Sequence, residues 1–227
     1  MTARVGLGRL LPPSVELEES EIDAPETVLL GGERAAIASA VPKRRAEFAT
    51  VRDCARRALA RLGQPPVPIV PGPDREPQWP DGIVGSLTHC DGYRAAAVAS
   101  SSDIVTLGID AEVNEPLPDG VAPLVMVDDE PRMVDALAAN YYDVCWDRLL
   151  FSAKESIYKA WWPLARRWLD FTECELTIDP TGSFSGHILI EGPVHNGSRL
   201  QRFDGRWDLV ERHLITVTCL ERSKDER

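Results

Sequence analysis

The chain has 227 residues, which gives room for one large domain or two of about 100 residues, and its 44% hydrophobic and 27% charged content is that of an ordinary globular protein. No apolar run approaches the roughly 20 residues of a membrane span, and the first residues lack a signal-peptide pattern, so a cytoplasmic location is expected. A formal net charge of −11 disfavours general nucleic-acid binding, and five cysteines without a C-x-x-C spacing disfavour a disulfide framework or a zinc site.

SVELEE, from Ser14 to Glu19, alternates apolar and acidic residues and predicts a strand with one wet face. GGERAAIASA, from Gly31 to Ala40, predicts a short helix. Apolar residues at spacings of three and four, with Pro42 at the start and Gly63 past the end, predict a helix over Pro42 to Leu62. That helix carries KRRAEFATVRDCARRALAR, a cationic block in an anionic protein. Such a block suits a small phosphorylated ligand or an acidic partner. The proline- and glycine-rich residues 64–82 predict an extended loop.

Three strand-like runs follow: Ile83 to Cys90, Tyr93 to Ser100 and Ile104 to Glu112. Their short connections predict an antiparallel meander. VNEPLPDGVAP, residues 113–123, is the most linker-like stretch. It divides an N-terminal half, 1–112, from a C-terminal half, 124–227. In the C-terminal half a long helix is expected from Trp146 to Trp168. Strands are expected in CELTIDP, SGHILIEG, RLQRFDGRWDLVE and HLITVTCLE, and disorder in the tail SKDER. Each half reads as a helix packed on an antiparallel sheet, an α+β arrangement whose repeated order suggests duplication.

Residues two apart in a strand share a face, so Asp110 and Glu112 of GIDAE project together and repel unless a positive charge lies between them. Mg²⁺ would serve, as would Mn²⁺; an exposed acidic strand end is the plainer alternative. In FSAKESIYKAWWPL, Glu155 and Lys159 are one helical turn apart among aromatic residues. A third carboxylate and a lysine beside an acidic pair suit a metal–phosphate site; a surface ion pair is the alternative. His89, at a strand end in SLTHC, is either a satisfied turn residue or, with Arg44, Arg52, Thr88 and backbone amides, a phosphate contact. Arg75 and Lys154 are further cationic candidates.

PKRRAEFATVRDCARRAL, GSLTHCDGYRAA, GIDAE and FSAKESIYKAWWPL, in this order and at these spacings, resemble the Sfp/enterobactin-synthase-component-D class of 4′-phosphopantetheinyl transferases, in particular its single-chain actinobacterial members. The resemblance implies a pseudodimer of two similar α+β halves with the site at their junction, acting as a monomer. It implies coenzyme A as substrate and acyl, peptidyl or aryl carrier proteins as acceptors. Asp110, Glu112 and Glu155 would then hold Mg²⁺ against the pyrophosphate, and Lys159 would contact that pyrophosphate. Arg44, Arg52 and His89 would hold the 3′-phosphate and nearby groups, with Arg75 in the loop that serves the nucleotide. Glu155, directly or through a metal-bound water, would take the proton of a carrier serine. Two competing functions are a Mg²⁺-dependent pyrophosphate hydrolase and an inactive coenzyme A-binding or carrier-binding protein.

Overall fold

The computed structural model describes residues 6–223. It divides into two compact units: residues 12–107 with the stretch from Glu221, and residues 108–220 with the stretch up to Leu11. The division falls between Leu107 and Gly108, and residues 113–123 lie wholly inside the second unit. Apart from Ser223, the tail SKDER is outside the described residues.

The first unit comprises β1 (Glu16–Ser20), a short helix α1 (Gly32–Ala36), α2 (Pro42–Arg61), β2 (Ile83–Cys90) and β3 (Tyr93–Ser100). Pro42 occupies the first turn of α2, where a missing N–H costs nothing. Gly63, at φ 74°, stops it. The Gly63 amide donates to the Ala60 carbonyl and the Gln64 amide to that of Leu59. The sheet order is β1-β3-β2, all antiparallel. Ala96 and Val98 of β3 pack with Cys54, Ala55, Ala58 and Leu59 of α2. Small side chains on both surfaces let the helix lie close to the strand.

The second unit takes in β4 (Ile104–Val113) from Gly108 onward, then α3 (Ala122–Val125), α4 (Glu130–Ala138) and α5 (Trp146–Ala165). After these come β5 (Cys174–Asp179), β6 (Ser183–Ile188), the two-residue β7 (Val194–His195) and β8 (Ser198–Arg199), β9 (Arg202–Val210) and β10 (His213–Glu221). Five strands form a sheet in the order β4-β10-β9-β6-β5. Leu149, Leu150, Ala153, Ile157 and Trp161 of α5 join Leu176, Ile178, Phe184, Phe203 and Trp207 in one core. Each such large side chain contributes about 1.5–3 kcal/mol when fully buried.

The expected meander is only half present. β2 and β3 pair as a hairpin turning at Gly92, φ 77°. β4, however, leaves that sheet for the edge beside β10. A short turn makes hairpin pairing available, but the partner that buries a strand on both faces wins, and residues 104–111 of β4 are buried throughout. The long helix ends at Ala165 rather than Trp168, because Arg166 adopts a left-handed conformation, φ 48°. Helices α3 and α4 fill a region where the sequence pattern predicts nothing definite.

The two units repeat one buried device. In the first, the fully buried Glu33 accepts the Leu30 amide at 2.7 Å and the Ile69 amide at 2.7 Å. Arg56 on α2 binds both its carboxylate oxygens, at 2.8 and 3.0 Å, and the Val28 carbonyl at 2.8 Å. In the second unit, Glu130 accepts the Val127 amide at 2.8 Å and the Leu176 amide at 2.6 Å. Lys154 on α5 binds Glu130 Oε2 at 2.8 Å and the Val125 carbonyl at 2.8 Å. In both, the acid takes the amide three residues before it, and the cation follows it by 23 or 24 residues.

Candidate active site

Four polar side chains on α5 stand at helical spacing, Arg148, Ser152, Glu155 and Lys159, and three of them contact β4 directly. Lys159 Nζ donates to Asp110 Oδ1 at 2.7 Å and to the Ile109 carbonyl at 3.1 Å. Ser152 Oγ donates to Asp110 Oδ2 at 2.8 Å, and Thr216 Oγ1 of β10 donates to the Ser152 carbonyl at 3.0 Å. Asp110, itself buried, is thus held from two directions. Arg148 holds Glu112 Oε2 at 3.2 Å while gripping the carbonyls of Glu115 at 3.0 Å and Pro116 at 2.9 Å.

Gly108 makes this packing possible. A Cβ there would stand 1.9 Å from the Ser156 carbonyl oxygen and 2.8 Å from the Ala160 amide nitrogen, both backbone atoms of α5. Only glycine lets the strand approach closely enough for Asp110 to reach Ser152 and Lys159.

The electrostatics follow from this crowding. Burial, reinforced by Asp110, pushes the Glu112 carboxyl up to about 7, against the pull of Arg148 and Lys159. Burial also raises Glu155, with Lys159 opposing and Asp110 adding to the rise. Burial works against the Lys159 ammonium, yet Asp110, Glu155 and Glu112 outweigh it and hold its pKa above the usual value. Among the described residues, none donates a hydrogen bond to the half-buried Glu155 carboxylate, so its acceptor capacity is open to a ligand.

The three carboxylates expected to share a cation are therefore within electrostatic reach of one another, and Lys159 and Arg148 supply the positive charge between them. Among the described residues no three His, Cys, Asp or Glu side chains are gathered around one point as a metal site. The donor set nevertheless suits a hard cation: it is all carboxylate oxygen, and the three carboxylates bring negative charge close together that a divalent ion would offset.

The expected phosphate-binding residues lie in the first unit and divide into two kinds. Arg44 Nη1 contacts His89 Nε2, while His89 Nδ1 faces Glu47 Oε2 at 3.6 Å. Arg75 is exposed in a loop closed by the Gly72 amide on the Glu76 carbonyl at 2.7 Å. By contrast, Arg52 is buried over the Phe48 ring, 3.6 Å from its centroid, and donates to the Ile69 carbonyl at 3.2 Å. Burial lowers its pKa to about 10. Thr88 is buried in β2. Most of the cationic block is bound internally: Arg56 to Glu33, Arg57 to Glu18 and Asp53, Arg61 to Glu16 and Glu18, and Arg45 to Glu26.

Lys154 corrects its expectation as a ligand contact. Its side chain is 2% exposed, and its ammonium spends all three N–H groups inside the protein, on Glu130, the Val125 carbonyl and the Phe171 carbonyl, each at 2.8 Å. The alternation of charge with aromatics around it gives no sign of this, because Glu130 lies 24 residues away. Sequence reasoning also missed Arg148 and Ser152. The signal was present: both continue the Glu155–Lys159 stripe back along the helix.

Two family models cover the chain. Residues 32–99 match the 4′-phosphopantetheinyl transferase N-terminal domain, and residues 106–218 match the 4′-phosphopantetheinyl transferase superfamily. The chain is a 4′-phosphopantetheinyl transferase. It is 52% identical over 218 residues to the 4′-phosphopantetheinyl transferase Svp of Streptomyces mobaraensis, covering 94% of this chain and 89% of that one. It is 44% identical over 233 residues to PptT of Mycobacterium tuberculosis, covering 97% and 100% respectively. Against the enterobactin synthase component D of Salmonella typhi, identity is 35% over 124 residues, 54% of this chain and 50% of that one. As a phosphopantetheinyl transferase it is an enzyme that uses coenzyme A and acts on carrier proteins, and its two α+β units match the two-domain family pattern. No helix among the described residues is long and apolar enough to cross a membrane.

Proposed function

We propose that the transferase moves the 4′-phosphopantetheine arm of coenzyme A onto a serine of an apo acyl, peptidyl or aryl carrier protein and releases 3′,5′-ADP. The observation that carries this reading is Glu155: a half-buried carboxylate with a raised proton affinity and no donor among the described residues, one helical turn from Lys159. The serine oxygen bonds to the β-phosphorus, the bond from that phosphorus to the 3′,5′-ADP oxygen breaks, and the serine proton passes to Glu155 directly or through a water. Lys159 offsets charge that builds on the leaving pyrophosphate oxygen. Asp110, Glu112 and Glu155 would hold Mg²⁺, or Mn²⁺, which when bound supplies charge neutralisation for the pyrophosphate. Arg44 and His89 bind the 3′-phosphate end, with Arg75 at the nucleotide. Arg52 and Thr88 contribute by fixing that surface. The protein works as a cytoplasmic monomer; five cysteines that are not joined in disulfides support a reducing compartment.

Intact-mass measurement of several apo carriers after incubation with coenzyme A and Mg²⁺ tests the reading. A gain of one phosphopantetheine arm is expected, and Glu155→Gln should reduce transfer far more than coenzyme A binding. Release of 3′,5′-ADP without any acceptor would make the protein a hydrolase instead. Near-normal transfer by Glu155→Gln would remove Glu155 from the role of base.

A further inference from the structure

The duplicated buried ion pair differs in one respect between the units. Arg56 has two partners, Glu33 and the Val28 carbonyl, and satisfies them with a planar fork. Lys154 has the corresponding two, Glu130 and the Val125 carbonyl, and a third, the Phe171 carbonyl at 2.8 Å. Phe171 follows Asp170, the residue that caps the turn 171–173 by accepting the Thr172 amide at 3.0 Å. Its ring stacks on Phe151 of α5, centroids 5.4 Å apart, and Trp168 packs on Tyr158 at 4.8 Å. Trp168, Leu169, Asp170 and Phe171 form a wall of the pocket that also contains Glu155 and Tyr158.

We propose that Lys154 is a positioning residue: its third hydrogen bond fixes the wall of residues 168–171 beside the Glu155 carboxylate. In the first unit, among the described residues, the other two bonds stand without a third, and an arginine makes them. An ammonium points its three N–H groups along tetrahedral directions and reaches three separate oxygens. A guanidinium spreads its donors in one plane and meets the two partners that Arg56 meets, leaving the Phe171 carbonyl without its donor. Lysine in one unit and arginine in the other therefore mark the unit in which a loop must be held for catalysis. This role rests on the transferase reading, since it acts through Glu155.

The test is Lys154→Arg, with Arg56→Lys as the matched control. The thermal midpoint of Lys154→Arg should stay within about 3 °C of wild type, a shift on the order of 1 kcal/mol in a chain of this size. Its kcat for carrier modification should fall about tenfold, the order expected when a catalytic group is displaced by a fraction of an ångström, with KM for coenzyme A within about threefold. Arg56→Lys should keep wild-type kcat and KM. Unchanged kinetics in Lys154→Arg would overturn the proposal. So would a loss confined to KM, or a fall in midpoint as large as that of Lys154→Met, which would make the third bond a fold contact only. Transfer by the wild-type enzyme, measured in the same assay, tests the transferase reading separately.

Discussion

Gly108→Ala is the sharpest probe of the strand–helix contact on which the site depends. The new Cβ would stand 1.9 Å from the Ser156 carbonyl oxygen, whereas ordinary contact begins at 3.4 Å. Because the opposing atoms are helix backbone, no side chain can rotate away, and β4 and α5 must separate by about 1.5 Å. The backbone of Gly108 is outside the left-handed region, so the whole effect is steric. Overpacking of this kind costs about 1–3 kcal/mol, which in a chain of this length lowers the thermal midpoint by roughly 2–12 °C. The chemical cost should be larger. Asp110 is two residues along β4, and its bonds to Ser152 at 2.8 Å and Lys159 at 2.7 Å would not survive that opening. A misplacement of about 1 Å costs on the order of 10²-fold in rate. The assay is thermal unfolding beside carrier modification followed by intact mass. A folded Gly108→Ala enzyme with wild-type stability and rate would refute the claim that close backbone approach builds the site.

Lys154→Met should destabilise the second unit by about 3–5 kcal/mol in denaturant unfolding, because Glu130 would keep its buried charge without a counterion; a loss under 1 kcal/mol would show the pair to be dispensable. Asp170 accepts the Thr172 amide and hydroxyl, which hold its carboxyl below the usual value near 3.9. A depressed folded-state value means the cap stabilises the protein above about pH 4 and is lost as pH falls through the lowered one. Carbon-detected NMR should find the Asp170 midpoint below about 3.9, and a midpoint at or above it would contradict the cap. Removing divalent cations with a chelator should abolish transfer and Mg²⁺ should restore it; full activity in chelator would dismiss the metal role of the three carboxylates.

The helix from Pro42, the hairpin at Gly92 and the long helix from Trp146 were legible because each is written in local chemistry: apolar spacing, a proline at a first turn, a glycine at a positive φ. The pairing of Asp110 with Lys159 was foreseeable only as a shared site, from two short motifs and a resemblance. Tertiary structure alone decided that β4 joins β10, because that choice depends on which surface buries the strand. It alone decided the fate of the charges. Arg44 and Lys154 look alike in sequence, yet one contacts His89 at a half-exposed position and the other is buried against Glu130. Burial and partner distance set what an ionic group can do, and neither is encoded by its neighbours in the chain.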